Sequence, residues 1–320
     1  MSDLPEYPLV TFALFAYNQE KYIREAVEGA LAQDYPNLEI IISDDCSQDG
    51  TWSVIERVVI NYVGPHQIVL NRNSKNLGIG RHVGAIGTLA KGTLIVLAAG
   101  DDISSGNRTS ALVDAWVSAG KPISALHSIA MEIDKSGMPS GRLAMGRAAD
   151  PAKATLDAFC KAGFTARIHG ATAAYTRQQF DMFSPLNGNI EDIPLTFRTL
   201  LLGELIFVEM PLVNYRVFDG NFSRKLVRSD RMNIARMVDS LLLTANSLLG
   251  DYENYCKMTS NDIDIYLINH IKNIKRKYEA ALGMASSNFV KNIWGLMNFP
   301  IDGTLRDRLW LISVYFGFKK

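Results

Sequence analysis

Asp101 and Asp102 stand at the end of the apolar run Leu94-Ile95-Val96-Leu97-Ala98-Ala99-Gly100. A run that short, rich in Ile, Val and Leu and closed by a glycine, reads as a strand buried on both faces of a parallel sheet. Open α/β sheets bind ligands beyond the carboxyl ends of their strands, so two carboxylates there suit a hard divalent cation carrying a diphosphate. The competing reading is a solvated turn or a helix cap. A second pair, Asp44-Asp45, closes another apolar run, Leu38 to Ser43, and a parallel sheet puts both pairs on one edge. A third pair, Glu191-Asp192, lies in the polar loop that feeds the apolar stretch Ile193 to Leu202.

The elements that must position these acids alternate. Leu9 to Ala16 reads as a central strand. Asn18 is the expected N-cap of a helix whose Tyr22, Ile23, Ala26, Val27, Ala30 and Leu31 recur at helical spacing. After the second strand comes a helix with Trp52, Ile55, Val58, Val59 and Tyr62 on one face. A short strand Ile68 to Leu70, a glycine-containing loop Asn76 to Gly80 and a helix from Arg81 to Ala90 then lead to the strand that ends at Asp101. Such alternation marks βαβ units and a mostly parallel, Rossmann-like sheet flanked by helices, an α/β fold. Beyond Asp102 we expect a helix over 107–119, a strand over Ser124 to Ile133, a mobile loop over 138–150 and a helix opening at Pro151. Small-residue strand Gly170 to Thr176 follows, and then strands Leu205 to Val208 and Leu212 to Val217. From about residue 226 strand signals vanish. Helices over 234–249 and 263–282 make residues 226–320 a helical C-terminal region beside a catalytic domain of residues 1–225.

Composition narrows the function classes. The 320 residues are 48% hydrophobic, with 33 Lys+Arg against 33 Asp+Glu and zero formal net charge. This argues against nucleic acid held by bulk charge. The cysteines, Cys46, Cys160 and Cys256, are odd in number and far apart. They suit a reducing, cytoplasmic setting rather than a disulfide framework or metal cluster. No apolar run reaches the roughly 18 residues of a membrane span. Residues 290 to 320 nonetheless interleave Trp294, Phe299, Trp310, Ile312, Tyr315 and Phe316 with Lys291, Arg306, Arg308 and Lys319. That pattern fits peripheral attachment to a membrane face, or packing against a partner or a second copy in a homodimer.

Taken in order, Ala16-Tyr17-Asn18, Asp44-Asp45 with Ser47 and Asp49-Gly50-Thr51, Asn76-Leu77-Gly78-Ile79-Gly80 and Gly100-Asp101-Asp102 resemble the nucleotide-binding half of an inverting family 2 glycosyltransferase of the GT-A fold, of the bacterial non-processive type. Glu191-Asp192 resembles that family's acidic catalytic pair, and Tyr215-Arg216 with Asn221 and Ser223 its closing loop. The resemblance implies transfer of a sugar from a nucleotide sugar to a saccharide or lipid-linked saccharide acceptor in surface polysaccharide or lipopolysaccharide synthesis. Ala16, Tyr17, Asn18, Asp44, Asp45, Asn76, Gly78, Arg81, Asp101 and Arg216 then line the nucleotide. Tyr17 would stack on the base and Asp45 accept a hydrogen bond from a uracil-type N–H, which points to UDP. Asp101 and Asp102 would hold Mn²⁺ or Mg²⁺. Asp192, with Glu191 beside it, would be the general base, although an acid there also favours a helix N-terminus.

Three positions depart from the family pattern. Ala99 replaces the first acid of its DxD motif, Gly84 stands where many relatives carry Asn, and Phe218 where many carry His. Arg224, like Arg216, is placed to pair with phosphate. His82 and His169 read as structural. The absence of a Gln-x-x-Arg-Trp sequence favours addition of one sugar over polymer extrusion. A non-catalytic sugar-nucleotide-binding scaffold and a sugar nucleotidyltransferase are the alternatives, the second lacking its glycine-rich basic loop after the first strand.

Overall fold

The structure, a computed structural model, describes residues 7–150, 154–164, 167–188, 190–218, 231–260 and 264–285. Strands β1 (Val10–Ala16), β2 (Leu38–Asp44), β3 (Gln67–Arg72) and β4 (Leu94–Ala99) run parallel in the order β3-β2-β1-β4. Helices α1 (Ile23–Leu31), α2 (Thr51–Val59) and α3 (Ile79–Leu89) connect them. Every residue of β1 and β2 is buried, as unbroken apolar runs in the middle of a parallel sheet require. Alternation along β1 sends Phe12 and Leu14 to one face and Ala13 and Phe15 to the other. The first face packs on Ile23, Val27, Ile55 and Trp116, and the second on Val83, Ile86, Tyr175 and Leu195.

The second half of the sheet is mixed. Past β4 come β8 (Ala174–Thr176), β6 (Ser124–Ile133), β9 (Glu204–Arg216) and β5 (Ile103–Ser104), with β7 (Pro139–Ala144) paired to β6. β6 and β9 are parallel, whereas the β4–β8, β6–β8, β5–β9 and β6–β7 pairs are antiparallel. Helices α4 (Arg108–Ser118), α5 (Leu156–Lys161), α6 (Gln178–Asp181) and α7 (Asp192–Leu202) complete this half.

Several sequence expectations are corrected here. The two strands expected over 205–217 are one, β9. Its register against β6 shifts where Ile129 faces Pro211, because proline has no N–H for the ladder. Part of the loop expected over 138–150 is the strand β7, which is exposed along nearly its whole length and therefore lacks an apolar signature. Only Ala174–Thr176 of the small-residue strand is extended, since Gly170–Thr172 forms a 3₁₀ turn. α5 begins after Thr155, whose side chain accepts from the Ala158 N–H; Pro151 itself lies outside the described residues.

The chain divides into two units, Met1–Val217 and Phe218–Lys320. In the second, α8 (Arg231–Thr259) packs on α9 (Ile265–Ala285). Val238, Ala245, Leu248 and Tyr252 are buried on α8, and Leu267, Ile271 and Ile274 on α9. The Asp264 N–H donates to the Tyr252 hydroxyl at 2.9 Å. Among the described residues no helix is long and apolar enough to cross a membrane. Asn221, Ser223, Arg224 and the tail from 290 to 320 lie outside the described residues.

Candidate active site

The tips of β1, β2 and β4 are tied together by their loops. Asn18 adopts a left-handed backbone (φ 52°), a conformation asparagine tolerates, and so is not the N-cap of α1, which starts at Ile23. Instead its N–H donates to Ser47 Oγ and its Oδ1 accepts from the Gln48 N–H, each at 2.8 Å. The Gln19 N–H donates to Thr51 Oγ1 at 2.8 Å. Ala16 is buried and its carbonyl accepts from the Asp45 N–H at 2.9 Å. Tyr17, one residue on, is 45% exposed at the rim, where a ring can stack on a flat ligand. The Gly100 N–H donates to the Phe15 carbonyl at 2.8 Å, and a Cβ at Gly100 would lie 2.5 Å from Gln19 Oε1. The Gln19 amide can swing aside, but the same Cβ would also press on the Phe15 carbonyl at 3.1 Å, so glycine eases the approach of the β4 tip to β1.

Asp44 and Asp45 are both buried. Asp44 accepts from the N–H and the hydroxyl of Ser47 and pairs with Arg72 Nε at 3.3 Å. Asp45 Oδ1 accepts from Asn73 Nδ2 at 2.8 Å and the Leu77 N–H at 2.9 Å, while Oδ2 accepts from the Gly78 N–H at 2.9 Å. The Gly78 N–H also donates to Asn76 Oδ1 at 3.0 Å, and Gly78 itself needs φ 78°. Asp45 therefore shapes the Asn76–Gly78 loop, a role its sequence position left open beside base recognition.

At the β4 tip, Asp102 Oδ1 accepts from the Arg216 N–H at 2.8 Å, and Oδ2 is buried without a hydrogen-bond partner. Burial first, and then the neighbouring Asp101 charge, push the Asp102 carboxyl well above the usual carboxylate range. Asp101 is only partly buried, and its carbonyl accepts from Arg216 Nε at 3.0 Å. The Arg216 guanidinium, expected at a phosphate, is 1% exposed. It also reaches the carbonyls of Asp134 (3.2 Å) and Lys135 (3.4 Å) and the Glu25 carboxylate, and it lies over the Tyr22 ring. Here it acts as a strut closing β9 onto the Asp101-Asp102 corner. Among the described residues no group of three or more His, Cys, Asp or Glu converges to hold a metal. Two adjacent carboxylates, one with an orphaned oxygen, still fit a cation that draws its other ligands from diphosphate and water.

A stripe of glycines on α3 brings the third acidic pair to this edge. A Cβ at Gly80 would lie 2.6 Å from the Gly188 carbonyl, one at Gly84 3.2 Å from the Leu186 nitrogen, and one at Gly87 2.2 Å from the Phe180 ring. The stretch at Leu186 and Gly188 thus runs against the face of α3, and at Gly84 a Cβ would press on the Leu186 backbone. Arg81, assigned from sequence to the nucleotide, donates from Nε to Asn187 Oδ1 at 3.1 Å and helps to hold this segment. Asp192 is the first residue of α7. Its Oδ2 accepts from Arg167 Nε at 2.7 Å. A Cβ at Gly170 would lie 3.0 Å from Glu191 Oε1 and 3.5 Å from Asp192 Cβ, so the 3₁₀ turn backs both acids. Burial, then the Asp192 charge, raises the Glu191 carboxyl to about 8.

Two arginines that sequence reasoning passed over complete the site. Arg167 pairs with Asp192, yet lies 25 residues before it with nothing local to mark it. Arg108 is fully buried and donates to Ser104 Oγ at 2.9 Å, to the Leu97 carbonyl at 2.7 Å and to the Ala171 carbonyl at 3.2 Å. Burial lowers its guanidinium to about 9, against the pull of Asp102. His169 lies edge-on to Tyr215, and burial lowers its pKa. His82, as expected, is structural: it is buried, bonded to Ser43 Oγ and edge-on to Phe15.

This architecture is that of a GT-A glycosyltransferase. The chain superposes over 97% of its length on 92% of residues 1–349 of TarS from S. aureus, solved with UDP-GlcNAc, at TM-score 0.58 and 14% identity. It superposes equally fully on 81% of the mannosyltransferase PcManGT from Pyrobaculum calidifontis, solved with GDP-Man and Mn²⁺, at TM-score 0.51 and 17% identity. Residues 11–178, more than half of the chain, match the family model of Glycosyl transferase family 2, and the chain belongs to that family. Among curated relatives, the UDP-Glc:alpha-D-GlcNAc-diphosphoundecaprenol beta-1,3-glucosyltransferase WfaP of Escherichia coli is 36% identical over 94 residues, 29% of this chain and 36% of that protein. The abequosyltransferase RfbV of Salmonella typhimurium is 38% identical over 96 residues, 29% of this chain and 28% of that protein. The match thus spans about a third of the length of these relatives.

Proposed function

We propose that the protein moves one sugar from a nucleotide sugar, UDP-linked, to an acceptor hydroxyl with inversion at the anomeric carbon. One observation carries this reading. The Gly170–Thr172 turn abuts Glu191 and Asp192, and its Ala171 carbonyl accepts from Arg108, the buried cation whose charge acts on Asp102. In this reading the base and the diphosphate would stand against the same short turn.

In this reading Asp192 takes the acceptor hydroxyl's proton as that oxygen bonds to the anomeric carbon, and the bond from that carbon to the diphosphate breaks with its electron pair leaving on the nucleotide. Tyr17 stacks on the base. Asp101 and Asp102 would hold Mg²⁺ or Mn²⁺, which when bound offsets charge on the departing diphosphate. The UDP assignment is supported by the UDP-Glc donor of WfaP and by the UDP-GlcNAc complex of TarS. A place in surface polysaccharide synthesis, with a lipid-linked acceptor, is supported by WfaP, RfbV and the succinoglycan biosynthesis protein ExoO of Rhizobium meliloti. Such an acceptor suits a site at the cytoplasmic membrane face, with residues 226–320 carrying membrane or self-association contacts. Retention of the full chain on anionic liposomes at low salt tests that part.

The direct test is Asp192→Asn. Transfer from the accepted UDP-sugar should fall by about 10²–10⁴, while UDP affinity by calorimetry stays within a few fold. Near-normal turnover in the variant would sink the reading. UDP binding by the unaltered protein without transfer from any nucleotide sugar would make it a binding scaffold.

A further inference from the structure

Asp192 is held by one identifiable cation. Arg167 Nε donates to its Oδ2 at 2.7 Å, with the Arg167 side chain 35% and the Asp192 side chain 17% exposed. Among the described residues Asp192 Oδ1 accepts no further hydrogen bond. The remaining titratable groups around this carboxylate come from three segments. Glu191 precedes it, at the N-cap of α7, and is raised to about 8 by burial and then by the Asp192 charge. His169, on the segment that carries Arg167, is lowered by burial. Tyr175, on β8, has a buried hydroxyl without a partner and is raised well above its ordinary value by burial. Asp192 and Arg167 thus meet against the Gly170 turn, with Glu191, His169 and Tyr175 around them.

We infer that Arg167 is a positioning residue for proton transfer: it fixes the rotation of the Asp192 carboxylate through Oδ2 and leaves Oδ1 for the acceptor hydroxyl. The inference rests on the assignment of Asp192 as base. The chemistry asks for arginine rather than a point charge. Donation from Nε makes a directed bond from a planar group, and such a bond sets the carboxylate plane as a rotating ammonium cannot. A bond that only pins the 167–172 segment to α7 would serve stability and would leave the proton-transfer step untouched.

The test uses the full chain with UDP-glucose and UDP-GlcNAc as donors and a prenyl-diphosphate GlcNAc as acceptor, read by UDP release. Arg167→Gln should lower kcat by about 10–10² and leave the donor KM within about two-fold. Arg167→Lys, which restores charge without the planar fork, should recover only part of kcat. Melting temperature and UDP affinity are measured on both variants, and the lysine variant carries the test should the glutamine variant not fold. An unchanged kcat overturns the inference. So does a kcat that the lysine variant restores in full, or one that falls only in step with the melting temperature, the pattern of a stabilising strut. Asp192→Asn, assayed beside them, separates the two claims. If it stays active, the base assignment fails whatever Arg167 does. If it is dead while Arg167→Gln behaves as the unaltered protein, only the role of Arg167 fails.

Discussion

The Arg216 backbone N–H donates to Asp102 Oδ1 at 2.8 Å, and Nε of the same arginine returns to the Asp101 carbonyl at 3.0 Å. One residue at the end of β9 thus grips both halves of the acidic corner after β4. Its guanidinium is buried among protein acceptors, so removing it leaves carbonyls and the Glu25 carboxylate without their donor. Arg216→Ala should cost about 2–4 kcal/mol of stability, within the range for breaking a buried charged network. Chemical denaturation checks this. An unchanged midpoint with a raised KM for the nucleotide sugar would instead return Arg216 to the phosphate role that its sequence position suggests.

The two aspartates of that corner should separate by experiment. Asp102 is 4% exposed and bonded to the Arg216 amide, whereas Asp101 is only partly buried. Asp101→Ala should remove most of any Mn²⁺ enhancement of UDP affinity with little change in melting temperature, because one carboxylate is a poor site for a hard dication. Asp102→Ala should lower the melting temperature as well, since it strips the acceptor from a buried N–H. Calorimetry with and without Mn²⁺, paired with thermal melts, reads both. Equal melting temperatures in the two variants would contradict the division of labour.

Gly80→Ala tests the contact that brings the acidic loop to α3. The added methyl would meet the Gly188 carbonyl at 2.6 Å, and this is backbone that cannot swing aside as a side-chain end would. An overpacked site of this kind costs about 1–3 kcal/mol. Turnover should fall with stability, because the displaced segment leads into Glu191 and Asp192. Gly141→Ala is the control: its φ of 76° strains any side chain, but nothing lies within 4 Å and it is far in sequence from the acids. A Gly80 variant with normal turnover would mean that the segment finds its place without α3.

The first hundred residues were legible because their information is local. Apolar runs such as Leu38 to Ser43 and the Ile23, Ala26, Val27, Ala30 stripe announce a buried strand and a helix face by period alone. What could not be read is long-range. Ser124 pairs with Glu204 and Ile103 with Asn214, and no local pattern encodes partners that distant. The site divides in the same way. Asp101, Asp102, Glu191 and Asp192 stood out as adjacent acids, while Arg167 and Arg108 acquire meaning only from what the fold sets against them. Arg216 shows the converse limit: a motif located it, and only its neighbours reveal how its guanidinium is engaged.

Glu191 provides a test with a definite sign. Burial and the Asp192 charge raise its carboxyl from 4.5 to about 8 in the fold. Between those values the folded chain holds a proton that the unfolded chain releases, so unfolding gives up a proton there and stability falls as pH rises. Below the unfolded value the contribution is fully present, and above about 8 it is lost. Glu191→Gln has no such proton. Asp102 also titrates upward in the fold and contributes a slope of the same sign, but both proteins share it, as they share the lowered histidines. The difference in melting temperature between the unaltered protein and the glutamine variant therefore isolates Glu191. Followed from pH 5 to pH 9, that difference should move steadily against the unaltered protein and then level off at the alkaline end. A difference that stays constant across the range would mean that Glu191 is ionised in the fold, and with it that Asp192 shares its corner with a second charge.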